Sequence, residues 1–248
     1  MQLGLAGRRA VVGASSRGLG FSVARALALE GAHVVLSGHD QGRVASAAAQ
    51  VGDSAQYVVA DLSVPEGGEL LVERAAQLMG GVDILVCNAP GPLPGDFART
   101  QPADYPNALE LNLMSVVRMC TAAIPAMRQQ RWGRIVAITS IAVRQPIGNL
   151  ILSNTARAGA TGFLKTLARE VAPDGVTVNS VQPGLHATER VDRVYGARLD
   201  QQVSAIPTGT LGSPDDFGSV VAFLCSAQAR YITGTAIPVD GGIHQGLQ

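Results

Sequence analysis

The sequence predicts an α/β fold in which a doubly wound, seven-stranded and mostly parallel sheet carries helices on both faces. Short apolar runs rich in β-branched residues recur along the 248 residues, and Ala- and Leu-rich segments with helical spacing separate them. Strands that are buried on both faces have such nearly continuous apolar runs, and parallel strands need helical crossovers between them. In this kind of sheet, ligands bind beyond the carboxyl ends of the strands.

The predicted elements alternate along the whole chain. Strands are expected at residues 9–12, 33–36, 56–59, 82–86, 134–138, 176–178 and 236–239. The clearest helices are expected at residues 21–30, 70–79 and 150–171. With 47% hydrophobic residues, a chain of this length can bury one sizeable core, so we expect a single domain over residues 1–248.

The composition limits the classes of partner. Lys and Arg together equal Asp and Glu at 19 each, so no nucleic-acid or membrane partner is expected. No apolar run reaches the length of a membrane span, and the N-terminus lacks a basic segment followed by a long apolar run, which favours a cytoplasmic protein. Cys87, Cys120 and Cys225 lack metal-ligand spacing. We expect buried thiols and no metal site.

A glycine-rich segment follows the first predicted strand. Residues 13–20 read GASSRGLG and precede a helix. Small residues let the backbone approach a pyrophosphate, which the N–H groups and dipole of the helix N-terminus stabilise. An ordinary strand-to-helix turn can also be glycine-rich, but the strand-helix context favours a nucleotide site in a Rossmann-type fold.

Further motifs occur in order along nearly the whole chain. They are Asp61-Leu62, Asn88-Ala89, the Pro183–Thr188 segment PGLHAT and the terminal Asp240-Gly241-Gly242. With the glycine-rich loop they resemble the short-chain dehydrogenase/reductase family, and the terminal segment resembles bacterial 3-oxoacyl-acyl-carrier-protein reductases. The resemblance implies a dinucleotide site formed by Ala14, Ser16, Arg17, Gly18, Leu19, His39, Asp61, Leu62, Asn88, Ala89, Pro183, Gly184, His186 and Thr188.

Three positions depart from the family pattern on the nucleotide side. Ala14 stands where the family has a glycine, and it can serve there only if φ is negative and the site tolerates a methyl group. Pro90 replaces the glycine of the Asn-Ala-Gly motif. Members that prefer NAD have an Asp at the end of the second strand, where this chain has Gly38. We therefore expect NADP(H) in preference to NAD(H), with Arg17 and His39 near the 2′-phosphate, unless both are merely solvated surface residues.

The resemblance also implies a catalytic set. The family uses a serine after the fifth strand, a tyrosine thirteen residues later, a lysine four residues beyond it and an asparagine on the preceding long helix. Ser140 and Asn112 match the serine and the asparagine, but the same spacing gives Ser153 and Arg157 for the other two. The chain therefore resembles a divergent member without the Tyr-x-x-x-Lys pair.

The two substitutions change the chemistry. An aliphatic hydroxyl such as that of Ser153 is a far weaker acid than a phenol, whereas Arg157 keeps a positive charge that it does not readily lose. His186, Tyr195 and Arg144 are further candidates for the acid or for a substrate contact, each with a purely structural alternative. Tyr195 lies in the expected mobile lid, at about residues 185–208.

The resulting hypothesis is an NADP(H)-dependent oxidoreductase that interconverts a carbonyl and an alcohol with an atypical proton donor. It is 3-oxoacyl reductase-like, with a small-molecule and possibly acyl substrate. The alternatives are an inactive nucleotide-binding sensor or scaffold, and a lyase or isomerase. By analogy we expect a homo-tetramer or dimer, formed through the small residues Ala156, Gly159, Ala160 and Gly162.

Overall fold

Seven strands form the centre of the structure, a computed structural model that describes residues 2–247. In this part of the chain every pairing is parallel, and the strand order is β3-β2-β1-β4-β5-β6-β7. The strands are β1 Arg9–Val12, β2 His33–Gly38, β3 Ala55–Val59, β4 Ile84–Cys87, β5 Gly133–Ile138, β6 Val176–Pro183 and β7 Ala236–Val239. The predicted doubly wound α/β fold is confirmed.

Helices cover both faces of the sheet. They are α1 Gly18–Leu29, α2 Gln41–Val51, α3 Gly67–Met79, α4 Tyr105–Leu109, α5 Ser115–Gln129, α6 Ile151–Val171, α7 Glu189–Tyr195, α8 Leu199–Ser204 and α9 Pro214–Leu224. One apolar core lies under α3, α5 and α6, and a second lies under α1, α2 and α9. Both faces are therefore buried, which explains why the strands are apolar at most positions.

The topology defines one crevice. The chain builds the sheet outward from β1 in one direction and then restarts at β4 on the other side of β1. The loops that leave β1 and β4 therefore diverge at the switch point, where doubly wound proteins bind ligands. The glycine-rich loop and the segment that begins at Asn88 both lie there.

Strand β6 is longer than its apolar pattern predicted. The pattern indicated residues 176–178, whereas the strand continues to Pro183. Asn179 interrupts the apolar run, but it is buried and donates its side-chain amide to Ile232 O over 2.8 Å. A buried polar residue with its own partner is compatible with a central strand.

The cysteines and helix α6 bear on two further predictions. All three thiols are buried, as expected, and the sulfurs of Cys87 and Cys120 are 4.0 Å apart.

On α6, Ala156 and Ala160 are buried within the chain, and Gly159 packs against Leu113. Packing within the chain accounts for Ala156 and Ala160, whereas Gly159 and Gly162 are exposed, and the oligomer stays a prediction. In the described residues no helix is long and apolar enough to cross a membrane.

Candidate active site and nucleotide crevice

The glycine-rich loop is fixed by hydrogen bonds to both neighbouring strands. The Ala14 N–H donates to Ser37 Oγ on β2 over 2.9 Å. The Asn88 amide, just after β4, donates to Gly13 O over 3.0 Å and to Ala14 O over 3.1 Å. Ala14 has φ +43°, so the condition of a negative φ is not met. This left-handed conformation costs about 1–2 kcal/mol for a residue with a Cβ, and the hydrogen bonds hold it in place.

The loop leads into a helix N-terminus that suits an anion. A Cβ on Gly20 would lie 2.7 Å from Ala14 O and from the Asn88 side-chain nitrogen, so the backbone segments touch there. Helix α1 starts at Gly18, where φ is +61°. Arg17, the residue before it, gives the helix no side-chain cap within residues 2–247. The first N–H groups of α1 are therefore available to a phosphate.

The end of β2 lies against the same loop. A Cβ on Gly38 would lie 3.4 Å from Ser16 Oγ, so Ser16 closes this side of the crevice. His39 is exposed just beyond, and its charge helps to lower the pKa of both Asp40 and Asp61. His39 thus lies where the sequence placed it, but between two carboxylates.

Sequence reasoning missed Arg43 near this position. Asp40 caps α2 by accepting the Arg43 N–H over 2.9 Å, and this bond is the main reason why the pKa of Asp40 is lowered. The Arg43 guanidinium lies 3.6 Å from the same carboxylate. The feature of the sequence that could have indicated Arg43 is its position in the first turn of the helix that follows β2. Arg43 is thus a third cationic candidate for a contact with a 2′-phosphate, beside Arg17 and His39. The Asp40 carboxylate near it is engaged in capping α2.

The segment after β3 is held by its own side chains. Asp61 accepts hydrogen bonds from the hydroxyl of Ser63 over 2.7 Å and from its N–H over 2.9 Å, and these bonds lower the pKa of Asp61. Leu62 has a buried side chain that belongs to the core. Any contact of Leu62 with a ligand would therefore be made through its backbone, and the predicted adenine contact stays a prediction.

Arg17 is engaged with the lid. Its guanidinium nitrogen Nη1 lies 2.7 Å from Glu189 Oε2, and the two side chains are 50% and 71% exposed. The contact of Arg17 with a 2′-phosphate stays a prediction, and here its guanidinium is paired with a residue 172 positions away that only the fold brings near. An exposed pair of this kind contributes less than about 1 kcal/mol and can exchange partners easily.

On the other side of the crevice, a row of main-chain oxygens follows β4. The four successive carbonyls of residues 89–92, hereafter the carbonyl row, all accept side-chain hydrogen bonds. The donors are Arg157 to Ala89 at 3.2 Å, Asn112 to Pro90 at 3.0 Å, and Arg190 to Gly91 at 3.2 Å and to Pro92 at 3.5 Å. The row thus joins α6, the segment before α5 and the lid helix α7 at one place.

Arg157 bridges the tips of β4 and β5. It donates Nη1 to Ile138 O over 2.8 Å and Nη2 to Ala89 O, and it is only 9% exposed. Within the described residues it forms no ion pair with a carboxylate. Burial, and then the charge of Arg190, lowers the pKa of Arg157 to about 10. The guanidinium is thus still protonated at neutral pH and lies at the edge of the sheet that the sequence predicted.

Asn112 lies in a π-helical turn, Glu110–Met114, between α4 and α5. Such turns often occur at functional sites. The residue is 2% exposed, and its Oδ1 has no hydrogen-bond partner in the part of the chain that the structure describes. Since buried acceptors are rarely left unpaired, this oxygen is suited to accept a hydrogen bond from a water or a ligand.

The two serines flank Arg157. Ser140 follows β5, and its Oγ accepts the Ala142 N–H over 3.1 Å, which leaves the hydroxyl proton available as a donor. Ser153 is 6% exposed and lies one helical turn before Arg157 on the buried face of α6. The structure thus brings Asn112, Ser140 and Arg157 to the tips of β4 and β5, with Ser153 next to them on α6.

His186 and Arg144, two of the further candidates for the acid or for a substrate contact, have structural roles. The His186 ring is 3% exposed, contacts Phe217 edge-on at 5.0 Å and points Nδ1 at Gly184 O over 3.3 Å. Burial lowers its pKa, which keeps the ring neutral. The ring thus packs in the core, which favours the structural alternative to a role as the acid, and the contact of His186 with the cofactor stays a prediction. Arg144 donates a hydrogen bond to Ala236 O on β7 over 2.6 Å, so its side chain stabilises the sheet.

The remaining predicted contacts follow β6. Pro183 ends the strand, and Gly184 approaches the next strand so closely that a Cβ would lie 2.7 Å from Asp240 Cα. Thr188 precedes α7, and its methyl group lies 3.9 Å from where a Cβ on Gly18 would be, so it faces the glycine-rich loop. Tyr195 ends α7, and burial raises the pKa of its phenol, which is therefore protonated at neutral pH.

Comparison with known proteins agrees with this architecture. A family model described as enoyl-(acyl carrier protein) reductase matches residues 13–244. Nodulation protein G of Rhizobium sp. (strain N33) is 37% identical over 241 residues, which covers 96% of this chain and 98% of that protein. The 3-oxoacyl-acyl-carrier-protein reductase FabG of Vibrio cholerae serotype O1 is 34% identical over 244 residues, which covers 98% of this chain and 99% of that protein.

Solved structures are also similar. A 3-oxoacyl (acyl-carrier-protein) reductase from Agrobacterium tumefaciens C58 with NADP bound has a TM-score of 0.91 at 34% identity, covering 97% of this chain and 95% of that one. L-sorbose reductase from Gluconobacter frateurii, complexed with NADPH and L-sorbose, has a TM-score of 0.94 at 32% identity and full coverage of both chains. The extent of these matches shows that the chain belongs to the short-chain dehydrogenase/reductase family.

Proposed function

We propose that this protein is an NADP(H)-dependent oxidoreductase that interconverts a carbonyl and an alcohol, resembling a 3-oxoacyl reductase but with an atypical proton donor. The observation that carries the proposal is the Arg157 guanidinium, which is buried at the tips of β4 and β5 beside Asn112 and Ser140. The FabG relative and the two similar structures support it, because all three are named reductases and the two structures contain NADP or NADPH.

The crevice fits a dinucleotide. The uncapped N-terminus of α1 and the close backbone approach at Gly20 leave N–H groups and space for a pyrophosphate. Ser16, Gly18 and Leu19 would hold that group. Asp61 and the backbone of Leu62 would contact the adenine, and Asn88, Ala89, Pro183, Gly184 and Thr188 would enclose the nicotinamide half. When bound, NADPH supplies the hydride that the carbonyl carbon receives.

The choice of NADP(H) follows from the charges beyond β2. Gly38 removes the carboxylate that would bind ribose hydroxyls and repel a 2′-phosphate. Arg17, His39 and Arg43 surround the position, and the Asp40 carboxylate is engaged in capping α2. A 2′-phosphate would compete with Glu189 for Arg17, since the pair is exposed and weak.

The catalytic residues would divide the work at the substrate oxygen. Ser140 donates its free hydroxyl proton to that oxygen as a hydrogen bond. Arg157 stabilises the negative charge that develops there and also contacts the nicotinamide ribose. Ser153 is shorter than the phenol it replaces, so a water that donates to Asn112 Oδ1 would deliver the proton to the substrate oxygen and regain one from solvent. Positioning by these groups sustains turnover without a tyrosine.

The proposal is tested by titrating the protein with NADPH and NADH and then following the absorbance of the reduced nicotinamide in the presence of a panel of carbonyl compounds. NADPH should bind more tightly than NADH, and at least one carbonyl should be reduced. Ser140→Ala should lower the rate without changing the affinity for NADPH. Binding without oxidation of NADPH by any carbonyl would instead indicate a nucleotide sensor.

A further inference from the structure

The catalytic side of the crevice contains two cations that no carboxylate balances. Arg157 and Arg190 are close enough for the charge of Arg190 to lower the pKa of Arg157. None of the ion pairs within residues 2–247 includes either residue. Glu189, the carboxylate next in sequence to Arg190, is directed to Arg17 instead. Burying the Arg157 guanidinium beside a second cation is unfavourable unless an anion joins them, and Arg190, which is exposed, is the one of the two that a ligand can reach.

The two arginines differ in how firmly they are held. Arg157 is buried, and its bonds to Ile138 O and Ala89 O fix its position. Arg190 comes from the lid helix α7 and donates to Gly91 O and Pro92 O over 3.2 and 3.5 Å, at the long end of hydrogen-bond distances. A carboxylate would accept shorter and stronger bonds from the same planar fork. Arg190 is therefore the cation that can exchange its present partners for a ligand.

The position of Arg190 fits the substrate better than the cofactor. Its contacts lie two and three residues beyond Ala89, on the outer part of the carbonyl row, whereas the glycine-rich loop that suits the phosphates follows β1. The carbonyl to be reduced would lie beside Ser140 and Arg157, so the rest of the substrate extends toward the lid.

From this arrangement we infer that the substrate carries a carboxylate close to its reducible carbonyl, and that Arg190 binds that carboxylate. The inference rests on the proposed function and specifies its substrate class. In the reaction the carbonyl carbon gains a hydride and its oxygen gains a proton, while the carboxylate is unchanged and serves only for binding. The competing interpretation is that Arg190 only fastens α7 to the carbonyl row.

The test compares acetoacetate with two neutral analogues, ethyl acetoacetate and the acetoacetyl thioester of N-acetylcysteamine. For the unaltered protein with NADPH, kcat/KM for acetoacetate should exceed that of both analogues by about tenfold or more. Arg190→Ala should remove most of this preference through a higher KM, with the affinity for NADPH unchanged. Arg190→Lys should retain part of it. Arg193→Ala, on the same helix but without a bond to the carbonyl row, is the matched control and should behave as the unaltered protein.

Two results would overturn the inference. One is equal or better use of the neutral analogues by the unaltered protein, and the other is an equal loss for all three compounds in Arg190→Ala, which a purely structural fastening predicts. If no compound is reduced, the proposed function fails, but the inference is still decided by thermal unfolding in the presence of NADPH. It then requires acetoacetate to raise Tm in the unaltered protein more than ethyl acetoacetate does, and not to raise it in Arg190→Ala.

Discussion

The two sides of the crevice handle charge in opposite ways. On the side of β1 and β2, cations and carboxylates are exposed and pair with each other, as in Arg17 with Glu189 and Arg43 with Asp40. On the side of β4 and β5, Arg157 is buried and is held only by main-chain carbonyls. Exposed pairs exchange partners at little energetic expense, whereas a buried cation imposes a lasting field on whatever binds beside it. The first side is suited to admit a ligand and the second to change it.

The largest effect is expected from restoring the family's pair on the buried side. The double change Ser153→Tyr with Arg157→Lys introduces a positioned phenol, and a positioned acid contributes about two to four orders of magnitude in rate. We expect kcat to rise within that range, as measured by steady-state oxidation of NADPH with the best carbonyl of the panel. Ser153→Ala alone is the control and should change the rate little if a water is the donor. A double variant slower than the unaltered protein would show that the cavity no longer accommodates a phenol.

Removing the unpaired acceptor should have the next largest effect. Asn112→Ala deletes Oδ1 and also leaves Pro90 O without its donor. We expect kcat to fall about a hundredfold, because the water that would deliver the proton loses its anchor. The affinity for NADPH, measured by fluorescence titration, should stay the same. If the affinity fell together with kcat, Asn112 would act by shaping the crevice rather than through a proton.

On the nucleotide side, the strain at Ala14 predicts a gain in stability. Ala14→Gly relieves a residue at φ +43°, so the free energy of unfolding should rise by roughly 0.5–1 kcal/mol after the greater flexibility of glycine in the unfolded chain is subtracted. Urea denaturation measures the change. The control is Ala48→Gly, a buried position within α2, which should be destabilised by about 1 kcal/mol. Equal destabilisation by both changes would show that Ala14 is unstrained.

Buried His186 makes the stability of the β6 side depend on pH. Its pKa is lowered in the folded protein, so the folded state disfavours the protonated ring. The stabilisation is fully present above the ordinary histidine pKa of about 6.5 and is lost as the pH falls below that value through the lower folded pKa. The urea midpoint should therefore decrease from pH 7 to pH 5 more steeply in the unaltered protein than in His186→Gln. Parallel decreases would assign the pH dependence to other groups.

The smallest effect concerns the exposed pair. Glu189→Gln releases Arg17, so NADPH should bind about two- to fivefold more tightly, within the range that surface pairs contribute, while NADH should bind as before. Isothermal titration with both nucleotides at low salt measures the difference. Asp192→Asn, on the same helix, is the control. An equal gain for NADH would show that the pair restrains the lid and not the 2′-phosphate.

The parts of this structure that the sequence predicts are those that depend on local pattern and spacing. Apolar periodicity is sufficient for the sheet and its helices, and the spacing from Ser140 to Arg157 is sufficient to find α6 at the strand tips. Contacts between distant segments were not predictable, as the pairing of Arg17 with Glu189 shows. The burial of His186 was missed for a related reason, because its neighbour Phe217 comes from α9 and no local signal distinguishes a core histidine from one in a site.

The carbonyl row also determines how the lid can move. Its inner pair of oxygens is bonded to α6 and to the π-helical turn, and its outer pair only to Arg190 of the lid. Withdrawal of α7 would therefore break these two long hydrogen bonds and the exposed pair of Glu189 with Arg17, and it would leave Arg157 and Asn112 in place. Pro90 and Pro92 have no N–H groups, so this stretch cannot coil into a regular helix when the lid departs. If α7 acts as the proposed lid, substrate would enter and product would leave while Arg157 and Asn112 keep their positions.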